Sequence, residues 1–247
     1  MHSTNRSANG YVSIGVKKAL LTIDPDGWPR LHRYRTEGQG FWSAYYPGDL
    51  HEPRFDAALK ASIDPHWTEA LRYRFYAHAK LAAMTSHIPG DLLFAGVSHG
   101  GTAKCVLGYL GDRASGKTTY LVDAWEGAMS RADRRVNTKF ETDLNAVRRG
   151  FSAFSHVKFL KGYIPDVLPE LEAERLSFVG LNTTDPDSEC QSLPTFWERM
   201  SIGAIILINS YAWRSADVTA YNAVIYQLPG AEVLNLLNGF GAVMKTA

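Results

Sequence analysis

Leu92-Leu93-Phe94-Ala95-Gly96-Val97-Ser98-His99-Gly100-Gly101-Thr102 runs from an apolar stretch into a glycine-rich turn and then into a helical pattern. Such a strand, loop and helix can cradle a ligand, because glycines admit it to the backbone and the helix N-terminus faces it. Two chemistries use this arrangement. Read as G-x-S-x-G, Gly96 to Gly100 would hold Ser98 on a strained elbow as the nucleophile of a hydrolase. Read as the first turn of a Rossmann-like sheet, Gly96, Val97, Ser98, Gly100 and Gly101 would hold a nucleoside-bearing cofactor above the strand ends.

Outward from this loop, short apolar runs alternate with helical stretches. The runs predict strands at Leu92 to Val97, Thr119 to Asp123, Val157 to Lys161, Leu176 to Leu181 and Ala204 to Asn209. Helices are predicted at Thr102 to Leu110, Arg131 to Ala153, Val167 to Glu174 and Leu193 to Met200. The alternation is that of a doubly wound α/β sheet. A last pair, Val233 to Leu236 and Ala242 to Lys245, is separated only by Leu237-Asn238-Gly239-Phe240-Gly241. That is too short for a parallel crossover, so an antiparallel hairpin should close one edge. Upstream, a helix from about Thr68 to Ser86 stops at Ile88-Pro89-Gly90-Asp91. Before it lie a connector, Thr36 to Pro65, and a hairpin candidate in which Val16 to Ile23 and Trp28 to Tyr34 flank Asp24-Pro25-Asp26-Gly27.

At 247 residues and 45% hydrophobic content, the chain can bury a full core with an N-terminal cap. We place an extension or lid at 1–65 and the main domain at 66–247. Lys plus Arg (26) nearly balances Asp plus Glu (25), so no field draws a polyanion and neither nucleic acid nor a membrane surface is expected as partner. A small molecule is. Met1 to Gly10 lacks the apolar stretch of a signal segment, and no window reaches the length of a membrane span. A cytoplasmic protein is therefore expected. Cys105 and Cys190 lack metal spacing and read as reduced structural residues.

The hydrolase reading needs an acid and then a histidine downstream of the serine. Only His99 and His156 follow Ser98, and His156 opens a predicted strand. The loop also follows the first convincing core strand, whereas elbow serines come after several. A further decoy is Gly111-Asp112-Arg113-Ala114-Ser115-Gly116-Lys117-Thr118, which matches G-x-x-x-x-G-K-T. A phosphate loop follows a strand and opens a helix. This one follows a helix and enters a strand, so it reads as a solvated turn. Asn182-Thr183-Thr184 matches a glycosylation sequon without a secretory signal. The cofactor reading gains from Asp123 at the end of the next strand, where a carboxylate can accept both hydroxyls of a ribose.

Pro89-Gly90-Asp91 with Gly96-Val97 and Gly100-Gly101 is followed by Asp123-Ala124-Trp125-Glu126-Gly127, by Lys161-Gly162 with Leu168-Pro169, and by Asn238-Gly239-Phe240-Gly241 with Lys245. In order and spacing, over about residues 72 to 245, this set resembles the macrocin O-methyltransferase (TylF-like) family. Its members use S-adenosylmethionine to methylate sugar hydroxyls of macrolides and related natural products. The resemblance implies a Rossmann-like class I methyltransferase fold, with a mostly parallel seven-stranded sheet, a C-terminal antiparallel hairpin and an N-terminal extension. It implies S-adenosylmethionine over the glycine turn, with its ribose on Asp123 beside Ala124 and Trp125. It also implies a small-molecule acceptor, such as a glycosylated metabolite.

This chain departs from the family pattern where the chemistry should be. The family places carboxylates for a divalent ion at the ends of the fourth and fifth strands, and Asn182, Thr184, Asn209 and Ser210 stand there instead. Amides and hydroxyls do not neutralise a divalent charge, so no metal is expected. Asp185 and Asp187 lie nearby, but a one-residue shift through Pro186 would be needed to recruit them. Phe94 stands where the first loop has Glu. Three readings stay open: a metal-independent methyltransferase, the same fold reused for other chemistry, and a non-catalytic binding partner. The persistence of the glycine turn and Asp123 favours the first. Without a metal, a side chain must take the acceptor's proton, and His99, Asp185 and Asp187 are the candidates. Trp28, Trp42, Tyr45 and Tyr46 suit the N-terminal region to a lid or to a homo-oligomer contact.

Overall fold

The computed structural model describes residues 52–62, 71–125, 142–183 and 185–247, with the backbone of 32–36 and 39–43. Strands β1 (His32–Thr36) and β2 (Gln39–Ser43) form an antiparallel pair. Tyr34 thus lies in a strand paired with 39–43, and the expected partner strand, Val16 to Ile23, lies outside the described residues. Then follow α1 (Pro53–Ser62), α2 (Arg72–Met84), β3 (Asp91–Ala95), α3 (Gly101–Leu110), β4 (Thr119–Asp123), α4 (Leu144–Gly150) and β5 (Val157–Lys161). The chain closes with β6 (Leu176–Leu181), α5 (Pro186–Arg199), β7 (Met200–Ile208), α6 (Ser215–Ile225), β8 (Ala231–Asn235) and β9 (Gly241–Lys245).

The seven strands β3 to β9 make one sheet in the order β5-β4-β3-β6-β7-β9-β8. Pairing is parallel from β5 to β7, and β9 is antiparallel to both β7 and β8. The expected edge hairpin is present. Strand order reverses between β3 and β6, which opens a crevice at their carboxyl ends.

Alternation along each strand distributes the core. Leu92, Phe94, Leu121, Phe178, Ile205 and Leu207 pack with α1, α2 and α3 through Phe55, Leu59, Phe75 and Leu110. Leu93, Val122, Val179, Leu181, Ile206 and Ile208 pack on the opposite face with Leu193, Phe196, Tyr221 and Ile225 of α5 and α6. Both faces of the inner strands are buried, which is why they read as continuous apolar runs. Helix α1 lies within the expected connector, and Phe55, Ala58 and Leu59 join the same core cluster as α2 and α3.

Several boundaries differ from the sequence reading. Helix α5 starts at Pro186 rather than at Leu193, because Asp185 caps it and Pro186 fits its first turn. Strand β7 follows α5 directly at Met200, irregular where Gly203 takes φ +84°. Of Arg131 to Ala153, the described part is helical only over Leu144–Gly150. Val167 to Glu174 shrinks to a 3₁₀ turn at Leu168–Glu170 around Pro169. No helix among the described residues is long and apolar enough to cross a membrane. Burial pushes the thiols of Cys105 and Cys190 up to about 12, so both remain protonated near neutral pH.

The segment that mimics a phosphate loop is structural, but its lysine is not a solvated one. Lys117 Nζ donates to the carbonyls of Ile88 and Gly90, each at 2.6 Å, and to Ser177 Oγ at 3.2 Å. Burial pushes its pKa down, while Asp91 opposes that. Lys117 ties the start of β3 to β6 at the end of the sheet away from the glycine turn. Lys117→Ala should therefore lower unfolding free energy by about 1.5–3 kcal/mol, the range for bonds to a charged group, in a urea titration. It should leave ligand affinity at the glycine turn unchanged, whereas lost affinity with full stability would contradict the assignment.

Candidate functional site

Every glycine-turn residue singled out in the sequence lies at the carboxyl end of β3. Gly96 takes φ +80°, and a Cβ there would sit 2.3 Å from the carbonyl oxygen of Asn182. Gly100 takes φ +85°, with a Cβ position 2.4 Å from the Phe151 ring. These two glycines thus permit close packing of the loop on β6 and on the end of α4, and set its path. Val97 packs at the edge of the core. Gly101 begins α3, whose first turn has no side-chain cap and no acidic residue. The N–H groups of that turn therefore have no competing side-chain acceptor at the cap.

Asp123 fixes the loop from the neighbouring strand. One carboxylate oxygen accepts the Ser98 N–H at 2.7 Å, and the other accepts the Trp125 N–H at 3.1 Å. Trp125 is fully buried, and its indole Nε1 donates to the Ser98 carbonyl at 3.2 Å. Ser98 (φ 49°) and Trp125 (φ 48°) are the non-glycine residues with positive φ among the described residues. Left-handed backbone in non-glycine residues stores strain and persists where surrounding bonds enforce it. Here those bonds converge on Asp123. Each carboxylate oxygen retains a lone pair, so the group can still accept hydroxyl donors. Ala124 is buried between the two bonded residues.

Asn182, Asn209 and Ser210, the described residues among the positions where the family pattern has metal carboxylates, belong to a network of neutral groups with a single buried acid. Asn209 Nδ2 donates to Asn182 Oδ1 at 2.6 Å, and Asn209 Oδ1 is buried without a partner. Ser210 Oγ lies 2.9 Å from the Tyr221 hydroxyl. Tyr221 donates at 2.6 Å to Glu189, which also accepts the backbone N–H and the hydroxyl of Thr183, both at 2.8 Å. Burial pushes the Glu189 carboxyl above the usual range, against the lowering effect of the Tyr221 and Thr183 bonds. Burial likewise raises the Tyr221 phenol. Among the described residues, no group of three or more His, Cys, Asp or Glu is placed to hold a metal ion. With two amides bonded to each other and the one carboxylate enclosed by donors, these residues do not fit Mg²⁺.

Of the acid–base candidates, His99 stays on the glycine loop, its Nδ1 3.1 Å from Ser98 Oγ and 3.4 Å from Thr142 Oγ1. Asp185 caps α5, accepting from the Ser188 N–H at 3.4 Å and hydroxyl at 2.6 Å. Asp187 is exposed in the first turn of α5. The Ser98–His99 contact is not a hydrolytic dyad, because Nδ1 faces the hydroxyl where a triad would use it for the orienting acid. His156 lies before β5, at the opposite end of the sheet from Ser98. Sequence reasoning missed Glu189, Tyr221 and His78. Glu189 follows the Asp185-Pro186 helix start by one turn, the one local signal that its helix faces the site. Nothing in the periodicity marks Tyr221 or His78 as polar members of a site.

The sheet order, the reversal between β3 and β6, and the acid-clamped glycine loop define a class I methyltransferase architecture. Solved structures share it. The O-methyltransferase NovP superposes with a TM-score of 0.61 at 20% identity, over 78% of this chain and 88% of that one. The calicheamicin methyltransferase CalS11 gives 0.58 at 12%, over 81% and 93%, and the SAH-bound Podospora anserina methyltransferase PaMTH1 gives 0.55 at 15%, over 79% and 89%. In sequence, the model of the Macrocin-O-methyltransferase (TylF) family matches residues 71–224, and the chain belongs to that family. Demethyldecarbamoylnovobiocin O-methyltransferase of Streptomyces niveus is 23% identical over 142 residues, 51% of this chain and 54% of its own. Mycinamicin III 3''-O-methyltransferase of Micromonospora griseorubida is 25% identical over 152 residues, 54% of this chain and 60% of its own. The chain thus spans a little over half the length of these relatives.

Removing the buried acid should unfasten the ends of β6 and β7. Glu189→Ala strands Tyr221 and both Thr183 donors and should cost about 3 kcal/mol in chemical denaturation. Glu189→Gln keeps one carbonyl acceptor and should cost about 1 kcal/mol. Equal losses in the two variants would show that volume, and not hydrogen bonding, carries the effect.

Proposed function

We propose that the protein is an S-adenosylmethionine-dependent O-methyltransferase that acts on a hydroxyl of a sugar or other small natural product without a metal ion. The carrying observation is the Asp123 carboxylate, held at the end of β4 by the Ser98 and Trp125 N–H groups with acceptor capacity left over. A ribose diol is the ligand part that such a carboxylate recognises. Family membership and the O-methyltransferase names of the relatives support the reading. So do neighbours of the same fold described as bound to SAM or SAH.

When bound, S-adenosylmethionine supplies a sulfonium methyl open to attack by an oxygen nucleophile. The chain's part is to position the acceptor and to remove its proton. Gly96, Val97, Ser98, Gly100 and Gly101 shape the floor, while Asp123, Ala124 and Trp125 orient the nucleoside. His99 lies on that floor and is our first assignment for the proton acceptor. Asp185 and Asp187 at the start of α5 are the alternatives from the acceptor side. Asn182, Asn209 and Ser210, replacing carboxylates, support transfer without a divalent ion. Residues 1–65 as an extension or lid, a glycosylated small-molecule acceptor, a homo-oligomeric assembly and a cytoplasmic location complete the proposal.

Isothermal titration with S-adenosylmethionine and S-adenosylhomocysteine tests the reading. Wild type should bind both, and Asp123→Ala should lose about tenfold or more in affinity, the scale of a bond to a charged group. No heat with either ligand would move the protein to the class of binding partners. Unchanged affinity in Asp123→Ala would remove the ribose assignment. With a glycosylated acceptor, methyl transfer should survive EDTA. Activity lost to chelation and restored by Mg²⁺ would mean that Asp185 or Asp187 has rebuilt the metal site.

A further inference from the structure

Beneath the glycine turn, on the α2 side of the sheet, lies a cavity of about 20 Å³ bounded by His78, Phe94, Gly96, Gly180 and Asn182. It has room for one water-sized group. His78 comes from α2 and is almost completely buried. Its Nδ1 lies 2.8 Å from the Arg74 carbonyl one turn earlier. A carbonyl only accepts, so Nδ1 carries the proton and Nε2 presents a lone pair. Burial holds the ring neutral, pushing its pKa down to about 4. The Cδ2–Nε2 edge lies over Gly180, where a Cβ would come within 3.1 Å of Cδ2 and 3.3 Å of Nε2. Glycine at position 180 therefore leaves the imidazole its place at the cavity.

No hydrogen bond engages Nε2 among the described residues. Phe94 explains how the ring is held, stacking on it with centroids 6.5 Å apart and planes at 26°. Phe178 meets it edge-on at 6.3 Å. The residue standing where the family pattern has Glu is thus the wall that orients a neutral acceptor from a different element. The surroundings are rich in acceptors. Of the groups that line the cavity, Asn182 Oδ1 accepts from the Asn209 amide at 2.6 Å, and the Gly96 carbonyl is met at 3.5 Å by Asn182 Nδ2. Such a pocket favours a compact cationic donor and disfavours a carboxylate.

We propose that His78 Nε2 receives the ammonium group at the amino-acid end of the cofactor, supplying from α2 the polar anchor that position 94 lacks. The assignment rests on the proposed cofactor, whose ribose lies on Asp123 at the far side of the same loop. An ammonium is close to water in size and matches the cavity. His78 is thus a binding and positioning residue and takes no part in proton removal.

The test compares S-adenosylhomocysteine with its deaminated analogue, 5′-S-(3-carboxypropyl)-5′-thioadenosine, by isothermal titration. Wild type should prefer S-adenosylhomocysteine by about tenfold or more. His78→Phe should erase that preference while leaving affinity for the deaminated analogue in place, and His78→Gln, which restores an acceptor, should recover part of it. Equal binding of the two ligands by wild type would overturn the assignment, even if the Phe variant failed to fold. So would a parallel loss for both ligands in His78→Phe, the mark of a purely structural residue. Binding of neither ligand by wild type would overturn the proposed function itself, and the His78 assignment with it.

Discussion

The Asp123 carboxylate holds together two loops that would otherwise have no reason to keep their shapes. Ser98 and Trp125 both occupy left-handed backbone, and both give their N–H groups to the same carboxylate. The Trp125 indole returns a bond to the Ser98 carbonyl, so the two strained positions restrain each other. The side chain best suited to grip a ribose therefore also builds the surface on which the ribose would rest. A ligand arriving there meets a site that is already ordered, which lowers the entropic cost of binding.

At the carboxyl ends of β6 and β7, neutral amides and hydroxyls are held by internal hydrogen bonding. A metal centre would need carboxylates turned toward the cavity. Here Asn182 and Asn209 bond to each other, and Glu189 turns inward to Tyr221 and Thr183. A buried carboxylate enclosed by donors pins β6, β7, α5 and α6 to one another, a mechanical function that a metal ion can also serve. What the network does not supply is a Lewis acid. In the proposed reaction, acceleration from this side would come from positioning and from a proton acceptor.

Much of the fold is legible in the sequence because the inner strands are buried on both faces. Runs such as Leu176 to Leu181 leave no other assignment once the glycine turn fixes the first strand. The closing hairpin is legible for a simpler reason: the connection from β8 to β9 is too short for anything else. Helices α1 and α6 are harder to read: Phe55, Ala58 and Leu59 or Val218, Tyr221 and Ile225 stand at helical spacing, but each helix is short, α1 lies within a polar and aromatic connector, and α6 follows Arg214 without a side-chain cap. The glycine turn and Asp123 are legible as a pair of elements brought side by side by parallel pairing. His78 and Glu189 are not, because a polar residue on an apolar helix face acquires its meaning only from what packs against it. Phe94 illustrates the same limit. As a sequence it reads as a missing anchor, and in the fold it is the ring that positions another.

The most direct measurement of the central claim is a crystal structure of the full chain soaked or co-crystallised with S-adenosylhomocysteine. We predict a nucleoside in the crevice above β3 and β4, its ribose hydroxyls within hydrogen-bonding distance of Asp123 and the Ser98 and Trp125 bonds intact. A nucleoside bound elsewhere, or one in the crevice with Asp123 bonded only to the backbone, would contradict it.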